Sequence, residues 1–216
     1  MLKAVIFDMD GVIVDSDRMI YDLEQVMFKD LGIEVSAEDH LAFVGMTAQK
    51  FWGAVKERYG LKQPVEELLD DFVKKTYDYF ETCEIEPMEG LVAFIEDLRA
   101  HGVKVALASS GEPKRIGLIM KRLGLDEVFS ARVTAEDVVH GKPDPEVFLK
   151  AAEKLGVAPA ECAVIEDAKL GVDAANSAGM FSIGFNAVPG RQDLSAAQLI
   201  VGGFSELSYE GLVACC

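Results

Sequence analysis

The chain has 216 residues, of which 50% are hydrophobic and 27% are charged, and its formal net charge is −16. A chain of this size and composition can bury a core large enough to fold without disulfide bonds. The strong negative charge argues against nucleic acid or an anionic membrane as a partner, because both bind basic surfaces.

The cysteine pattern and the hydropathy favour a cytoplasmic protein. The four cysteines (Cys83, Cys162, Cys215 and Cys216) show no metal-ligand spacing, which indicates free thiols in a reducing compartment. No segment approaches the roughly 20 apolar residues of a membrane span, and the first residues do not resemble a signal peptide. We expect a monomer or weak dimer in the cytoplasm.

The first predicted element is a strand over residues 4–7, an apolar run that leads directly into Asp8-Met9-Asp10-Gly11. A continuous apolar run is typical of a strand buried on both faces of a parallel sheet. Open α/β sheets bind ligands at the carboxyl ends of their strands, so Asp8 and Asp10 are candidate site residues. The structural alternative is an ordinary turn or helix cap, because Asp and Gly are common in both.

The next segment contains no convincing strand. It runs from Ser16 to Cys83 and shows amphipathic helical stretches with many aromatic residues. A crossover between parallel strands usually needs a single helix, and this segment is several times longer. We therefore predict an inserted all-α domain over residues 16–85, within a core formed by residues 1–15 and 86–216.

Strands and helices alternate in the rest of the chain. Further strands are predicted from short apolar runs at 103–108, 163–165 and 181–185, with weaker runs near 129–133 and 199–201. Helices are predicted from apolar residues at the 3.6-residue period over 91–98, 116–123 and 147–155. This alternation predicts an α/β fold with a doubly wound parallel sheet.

Polar residues stand at the ends of these predicted elements. Ser109 and Ser110 follow the second strand, Glu166 and Asp167 follow the strand at 163–165, and Lys142 precedes a helix. Because the carboxyl ends of parallel strands meet at one edge of a sheet, we expect these residues to converge with Asp8 and Asp10.

Four carboxylates in one crevice need a cation, because like charges raise one another's pKa. Mg²⁺ suits such a site, since it binds carboxylates, water and substrate phosphate. A cation beside a lysine and a hydroxyl favours phosphoryl transfer, in which one carboxylate attacks phosphorus and a second moves protons.

Several of these residues also have structural explanations. Ser109 with Glu112 matches a helix capping box, and alone that interpretation is preferred. Asp144 before Pro145 is best explained as a helix cap. For Asp167, a cap of the following helix and a functional site residue are equally good interpretations. Lys142 alone would be an ordinary solvated lysine. Their joint occurrence at successive strand ends is what favours a functional site.

Four stretches resemble the haloacid dehalogenase (HAD) superfamily, specifically its β-phosphoglucomutase-like phosphatases with an α-helical cap. They are residues 8–16, 108–110, 141–145 and 164–167, followed by a similar segment over 168–180. The resemblance covers the whole core in the expected order. It implies a Rossmann-like core, with the inserted helices acting as a cap that closes over the substrate and excludes water.

The resemblance also implies roles for individual residues. Asp8 is the expected nucleophile and Asp10 the general acid and base. Phosphate is expected to bind Ser109, its neighbour Ser110 and Lys142. The expected Mg²⁺ ligands are Asp8, the main-chain carbonyl of Asp10, and Asp167, with Glu166 close by or acting through water.

Three further positions bear on the activity within this superfamily. Asp10 argues against a dehalogenase, because halide leaves without a proton. Ile20 and Ala48 stand where phosphosugar mutases have a histidine and an arginine, which weakens the mutase alternative. We therefore predict a Mg²⁺-dependent phosphatase that hydrolyses a small phosphorylated metabolite, such as a sugar phosphate, through an aspartyl-phosphate.

Two alternatives stay open, a β-phosphoglucomutase-type mutase and, more remotely, a receiver-like phospho-acceptor module. Receivers are much shorter and have no helical insertion after the first strand. Substrate contacts in the cap are predicted at Thr47, Lys50 and Lys75.

Overall fold

A computed structural model describes residues 1–36, 39–40, 43, 46, 48–190 and 192–215. The chain divides into two compact units, the first formed by Met1–Ser16 with Ile85–Cys216 and the second by Asp17–Glu84. Each boundary lies one residue from the position expected from the sequence.

The first unit contains a six-stranded parallel sheet. Its strands are β1 (Ala4–Phe7), β2 (Lys104–Ala108), β3 (Ala131–Val133), β4 (Cys162–Glu166), β5 (Phe181–Phe185) and β6 (Leu199–Val201). Their order across the sheet is β3-β2-β1-β4-β5-β6, and every pairing is parallel. The predicted doubly wound sheet is confirmed, with β1 and β4 on either side of the point where the strand order reverses.

Eight helices have described bounds. They are α1 (Ser16–Asp30), α2 (Ala48–Tyr59), α3 (Val65–Thr82), α4 (Leu91–Ala100), α5 (Pro113–Arg122), α6 (Glu146–Leu155), α7 (Lys169–Ser177) and α8 (Tyr209–Cys215). Short 3₁₀ helices lie at Ala135–Asp137, Pro159–Glu161 and Phe204–Glu206. Helix α6 ends at the predicted residue, Leu155, and is followed by Gly156, whose φ of 65° is the left-handed conformation common at helix ends.

The two faces of the sheet are buried by different side chains. On one face, small and branched residues of the strands pack against α6 and α7. On the other, Phe7 of β1 packs against Phe94 of α4, Phe129 and Phe204, with ring centroids 5.8–6.3 Å apart. Burial on both faces explains the continuous apolar runs of the central strands.

The second unit contains helices and no strand within its described residues, with α1, α2 and α3 around an aromatic core. Its fully buried centre is Trp52, which contacts Phe28 and Phe51 with ring centroids 5.9 Å and 5.3 Å apart. No helix in the described part of the chain is both long and apolar enough to cross a membrane.

Candidate active site

The candidate site lies at the carboxyl ends of β1, β2 and β4. Phe7 pairs in register with Leu107 on one side and with Ile165 on the other. The next residues of the three strands therefore come to the same edge of the sheet. This places Asp8 level with Glu166 on one side and with Ala108, which Ser109 follows, on the other, at the reversal of strand order where open α/β sheets bind ligands.

Lys142 joins two of these strand ends. Its Nζ donates hydrogen bonds of 2.6 Å to both Asp8 Oδ1 and Glu166 Oε1, and its side chain is only 10% exposed. The Nζ also lies 4.9 Å from the ring centroid of Phe148 on α6. Interpreting Lys142 as a solvated lysine is therefore wrong.

The charged groups of this cluster shift one another's pKa values. Burial alone disfavours the Lys142 ammonium, but Asp8 and Glu166 outweigh it and raise the Lys142 pKa above its ordinary value. Burial raises the pKa of Asp8 well above its usual range, and the charges of Glu166 and Asp10 add to it, while Lys142 opposes it. One lysine therefore does not fully compensate the two buried carboxylates.

Asp10 has a partner that the sequence did not reveal. Arg115 of α5 donates two parallel hydrogen bonds to it, Nη1 to Oδ1 at 2.9 Å and Nη2 to Oδ2 at 2.7 Å. Burial alone raises the pKa of Asp10, but Arg115 and a hydrogen bond with Ser16 outweigh it, so the pKa lies below its usual value. Nothing in the sequence identifies the partner of Arg115, because a long side chain on a helix usually faces solvent.

Glu166 and Asp167 occupy positions that leave no room for a neighbouring side chain. A Cβ added at Gly171 of α7 would lie 1.8 Å from Glu166 Oε1, and one added at Gly11 would lie 2.0 Å from Asp167 Oδ2. The N-cap residue of α7 is Ala168, without a side-chain cap, and its backbone N–H donates to Glu166 Oε2 at 2.8 Å. Interpreting Asp167 as the cap of this helix is therefore wrong.

Ser109 does not cap a helix either. Helix α5 begins at Pro113, its N-cap residue is Glu112, and no side chain caps it. Ser109 is fully buried, and its Oγ accepts a hydrogen bond from the Gly111 N–H at 3.0 Å. The preferred capping box is therefore wrong, whereas its neighbour Ser110 is exposed in the same loop.

Asp144 acts at the start of a helix, close to the expectation. Its Oδ1 accepts a hydrogen bond from the Glu146 N–H at 2.9 Å. The N-cap residue of α6 is Pro145, however, one position after the predicted cap. Asp144 thus helps to position the loop that carries Lys142.

The three residues predicted to contact substrate from the cap belong to the helical segment. Thr47 lies outside the described residues. Lys50 is exposed on α2, and Lys75 of α3 forms ion pairs with Asp30 at 2.7 Å and Asp71 at 3.2 Å. Substrate contacts at these positions stay predictions.

The residues at this edge of the sheet fit a divalent cation by their donors and their charge. Asp8, Asp10, Glu166 and Asp167 bring four carboxylates against two cationic side chains, Lys142 and Arg115. Burial, followed by the charges of Glu166 and Asp10, raises the pKa of Asp167 to about 7, because this carboxylate faces other acids.

These oxygen donors are of the hard type that Mg²⁺ prefers, and Asp167 can approach the backbone at Gly11 because no side chain stands there. In the described side-chain positions, no three acidic, histidine or cysteine residues already surround one point.

We expect Gly171→Ala to destabilise the protein by about 1–3 kcal/mol, because the new methyl group must displace the buried Glu166 carboxylate. The matched control is Gly117→Ala in α5, where an added Cβ meets nothing within 4 Å. That change should stabilise the helix by roughly 0.5–1 kcal/mol. Urea denaturation of both variants measures the difference, and equal effects would contradict the tight packing at Gly171.

Comparisons with known proteins identify the family to which this chain is similar. A family model described as haloacid dehalogenase-like hydrolase matches residues 5–185. The chain is 32% identical over 221 residues to beta-phosphoglucomutase of Bacillus subtilis, covering 97% of this chain and 93% of that protein. It is 32% identical over 184 residues to the phosphorylated carbohydrates phosphatase of Thermotoga maritima, covering 83% of this chain and 82% of that protein.

The chain is also similar to a solved structure and to part of a much longer protein. A Thermotoga maritima protein provisionally assigned as a beta-phosphoglucomutase superposes with a TM-score of 0.88 at 28% identity, covering 99% of each chain. Protein SUPPRESSOR OF QUENCHING 1 of Arabidopsis thaliana is 35% identical over 188 residues, and the match spans 17% of its length.

Proposed function

Because the chain belongs to the haloacid dehalogenase-like hydrolase family, we propose that it is a Mg²⁺-dependent phosphatase that hydrolyses a small phosphorylated metabolite through an aspartyl-phosphate. The family and the phosphatase names of its relatives make it a phosphatase-type enzyme. Sugar phosphates are the proposed substrate class, since one relative is named a phosphatase of phosphorylated carbohydrates.

The observation that carries this proposal is the different surroundings of the two aspartates that follow β1. Asp8 lies buried against the Lys142 ammonium, while Asp10, two residues later, is more exposed and paired with Arg115. The two carboxylates thus have different cationic partners and different exposure. Their proposed roles, Asp8 as nucleophile and Asp10 as proton carrier, are those that the family resemblance implies.

In the first step, an oxygen of the Asp8 carboxylate attacks phosphorus and the bond from phosphorus to the ester oxygen breaks. The departing alcohol oxygen takes a proton from Asp10, which has to enter this step protonated although Arg115 favours its ionised form, and Asp10 is left ionised. In the second step, water attacks the phosphoryl group and gives its proton to Asp10. The bond between Asp8 and phosphorus breaks, and inorganic phosphate leaves.

In both steps, the remaining side chains are proposed to stabilise the negative charge of the phosphoryl group. Lys142, which contacts Asp8, and the buried hydroxyl of Ser109, which follows β2, are the proposed phosphate-binding groups. The proposed Mg²⁺ ligands are Asp8, the main-chain carbonyl of Asp10, and Asp167, with Glu166 close by. Bound there, the ion would neutralise charge on the phosphoryl oxygens.

The proposal predicts that phosphate release requires a divalent cation. Phosphorylated sugars, nucleotides and organic acids are assayed for inorganic phosphate with Mg²⁺, with EDTA, and with Mg²⁺ restored. We expect EDTA to remove almost all activity and restored Mg²⁺ to recover it, because the excess negative charge at the site repels a phosphate dianion. Full activity after exhaustive chelation would contradict the metal requirement.

The similarity to a beta-phosphoglucomutase supports a mutase as second candidate. The departures at Ile20 and Ala48 favour hydrolysis instead. Incubation with β-glucose 1-phosphate and a bisphosphate activator separates the two functions. A phosphatase yields glucose and free phosphate, whereas glucose 6-phosphate as the main product would establish the mutase.

A further inference from the structure

The Asp10 side chain is less buried than those of Asp8 and Glu166. Its side chain is 36% exposed, compared with 8% for Asp8 and 3% for Glu166. It also follows the end of β1, within a turn in which Gly11 has a φ of 74°. A carboxylate in such a position needs a polar partner to hold one orientation, because an exposed side chain otherwise samples several rotamers.

Arg115 supplies that partner from a rigid element. Its helix, α5, is anchored to the core by Ile116, Ile119 and Met120, all at most 1% exposed. The guanidinium reaches Asp10 with two parallel hydrogen bonds, which fix the plane of the carboxylate as well as its position.

The loop before α5 is shaped to let this side chain pass. A Cβ added at Gly111 would lie 2.7 Å from Arg115 Nη2 and 3.3 Å from Ser109 Oγ. Gly111 therefore provides room for the guanidinium directly beside the predicted phosphate-binding hydroxyl. The contact between Arg115 and Asp10 thus depends on this loop as well as on the two charges.

We propose that Arg115 is a positioning residue, which holds the Asp10 carboxylate where it exchanges a proton with the leaving group. This inference rests on the proposed function and adds a residue that the sequence motifs do not include. Arg115 acts through Asp10 and does not itself take part in the proton transfer. Lysine cannot replace it fully, because an ammonium lacks the planar pair of donors.

The test compares substrates that differ in their need for a proton. An alkyl phosphate releases a strongly basic alkoxide and needs a general acid, whereas p-nitrophenyl phosphate releases a weakly basic phenolate and needs little protonation. The kcat/KM covers the steps up to release of the alcohol, so it isolates this proton transfer from the later hydrolysis of the aspartyl-phosphate.

For Arg115→Met, we expect kcat/KM to fall by about 10–100-fold with the alkyl phosphate, because a misplaced acid loses much of its contribution. The fall with p-nitrophenyl phosphate should stay below about threefold, since this ester depends little on Asp10. Arg115→Lys should lie between Arg115→Met and the wild type. Guanidinium at a non-denaturing concentration should restore part of the alkyl phosphatase activity of Arg115→Ala.

Two further variants distinguish an effect on Asp10 from a general effect of removing a positive charge from α5. Lys121→Met removes a positive charge from the exposed last turn of the same helix and should leave both substrates unaffected. Asp10→Asn should show the same dependence on the leaving group as Arg115→Met, with a larger amplitude.

Equal losses for both substrates would overturn the inference, because they would indicate that Arg115 binds the phosphoryl group. Unchanged or faster alkyl phosphate cleavage in Arg115→Met would also overturn it. A wild-type enzyme that hydrolyses neither phosphate ester would contradict the proposed function itself, and the inference with it.

Discussion

Asp8→Asn is expected to lower phosphate release by a factor on the order of 10⁴ or more, because the variant lacks the attacking carboxylate oxygen. The amide keeps the shape of the side chain, and its oxygen can still accept a hydrogen bond from Lys142 Nζ, which lies 2.6 Å from Asp8 Oδ1. The fold should therefore persist while the chemistry is lost. Initial rates with p-nitrophenyl phosphate and with an alkyl phosphate measure the effect.

A matched control for this change is Asp126→Asn, which breaks an ion pair with Arg132 at 3.1 Å. That pair is partly exposed, and Asp126 precedes β3 whereas the carboxylate cluster lies at the carboxyl ends of the strands, so phosphate release should stay close to the wild-type rate. Circular dichroism of both variants checks that they fold. An Asp8→Asn protein that turns over at the wild-type rate would remove Asp8 from the mechanism.

Lys142→Met should have the largest effect on stability, a loss of about 3 kcal/mol at neutral pH. The substitution leaves Asp8 and Glu166 buried without their shared cation, and unpaired buried charges are costly. Activity should fall as well, since the same ammonium is proposed to bind phosphate. Urea denaturation at neutral pH measures the free energy of unfolding.

The loss of stability in Lys142→Met should depend on pH. Burial holds the pKa of Asp8 above its value in the unfolded chain, and without the lysine nothing opposes this effect, so the folded state tolerates the protonated form of Asp8 better than its charged form. The difference from the wild type should therefore shrink as the pH falls and Asp8 takes up a proton. A deficit that stays constant between neutral and acidic pH would contradict this explanation.

Lys169→Met is the matched control for Lys142→Met. Lys169 pairs with Asp173 one helical turn away at 2.6 Å, and its side chain is 50% exposed. Exposed pairs of this kind contribute little to stability. The control should therefore unfold close to the wild type at both pH values.

Much of the core was predictable from the sequence for a simple physical reason. Strands buried on both faces are continuous apolar runs, so β1 and β5 are found with the predicted bounds. Their polar neighbours must then lie at one edge of the sheet. This explains why Asp8, Lys142 and Glu166, which are far apart in the chain, were predicted to meet.

The wrong predictions of helix caps have a common cause, which is competition between local and tertiary interactions. Ser109 matches a local capping pattern, yet its helix begins later and the side chain is buried at the end of β2. Asp167 likewise precedes a helix without capping it. Local spacing indicates which bonds a residue can make, but the parallel sheet determines which of them form.

The sequence did not identify Arg115 because its long side chain contacts a residue that is distant in the chain. Its guanidinium contacts a carboxylate 105 residues earlier in the chain, across a loop that only glycine can line without a clash. No periodicity or motif encodes such a contact. It becomes visible only when α5 is placed beside the end of β1.

The most direct test of the mechanism is to identify the phosphorylated residue. Enzyme and radiolabelled substrate are mixed, quenched in acid and digested, and the labelled peptide is identified by mass spectrometry. We expect the label on Asp8, its release by hydroxylamine as expected for an acyl phosphate, and its absence from Asp8→Asn. A hydroxylamine-resistant label on Ser109, or labelling of Asp8→Asn equal to that of the wild type, would contradict an aspartyl-phosphate at Asp8.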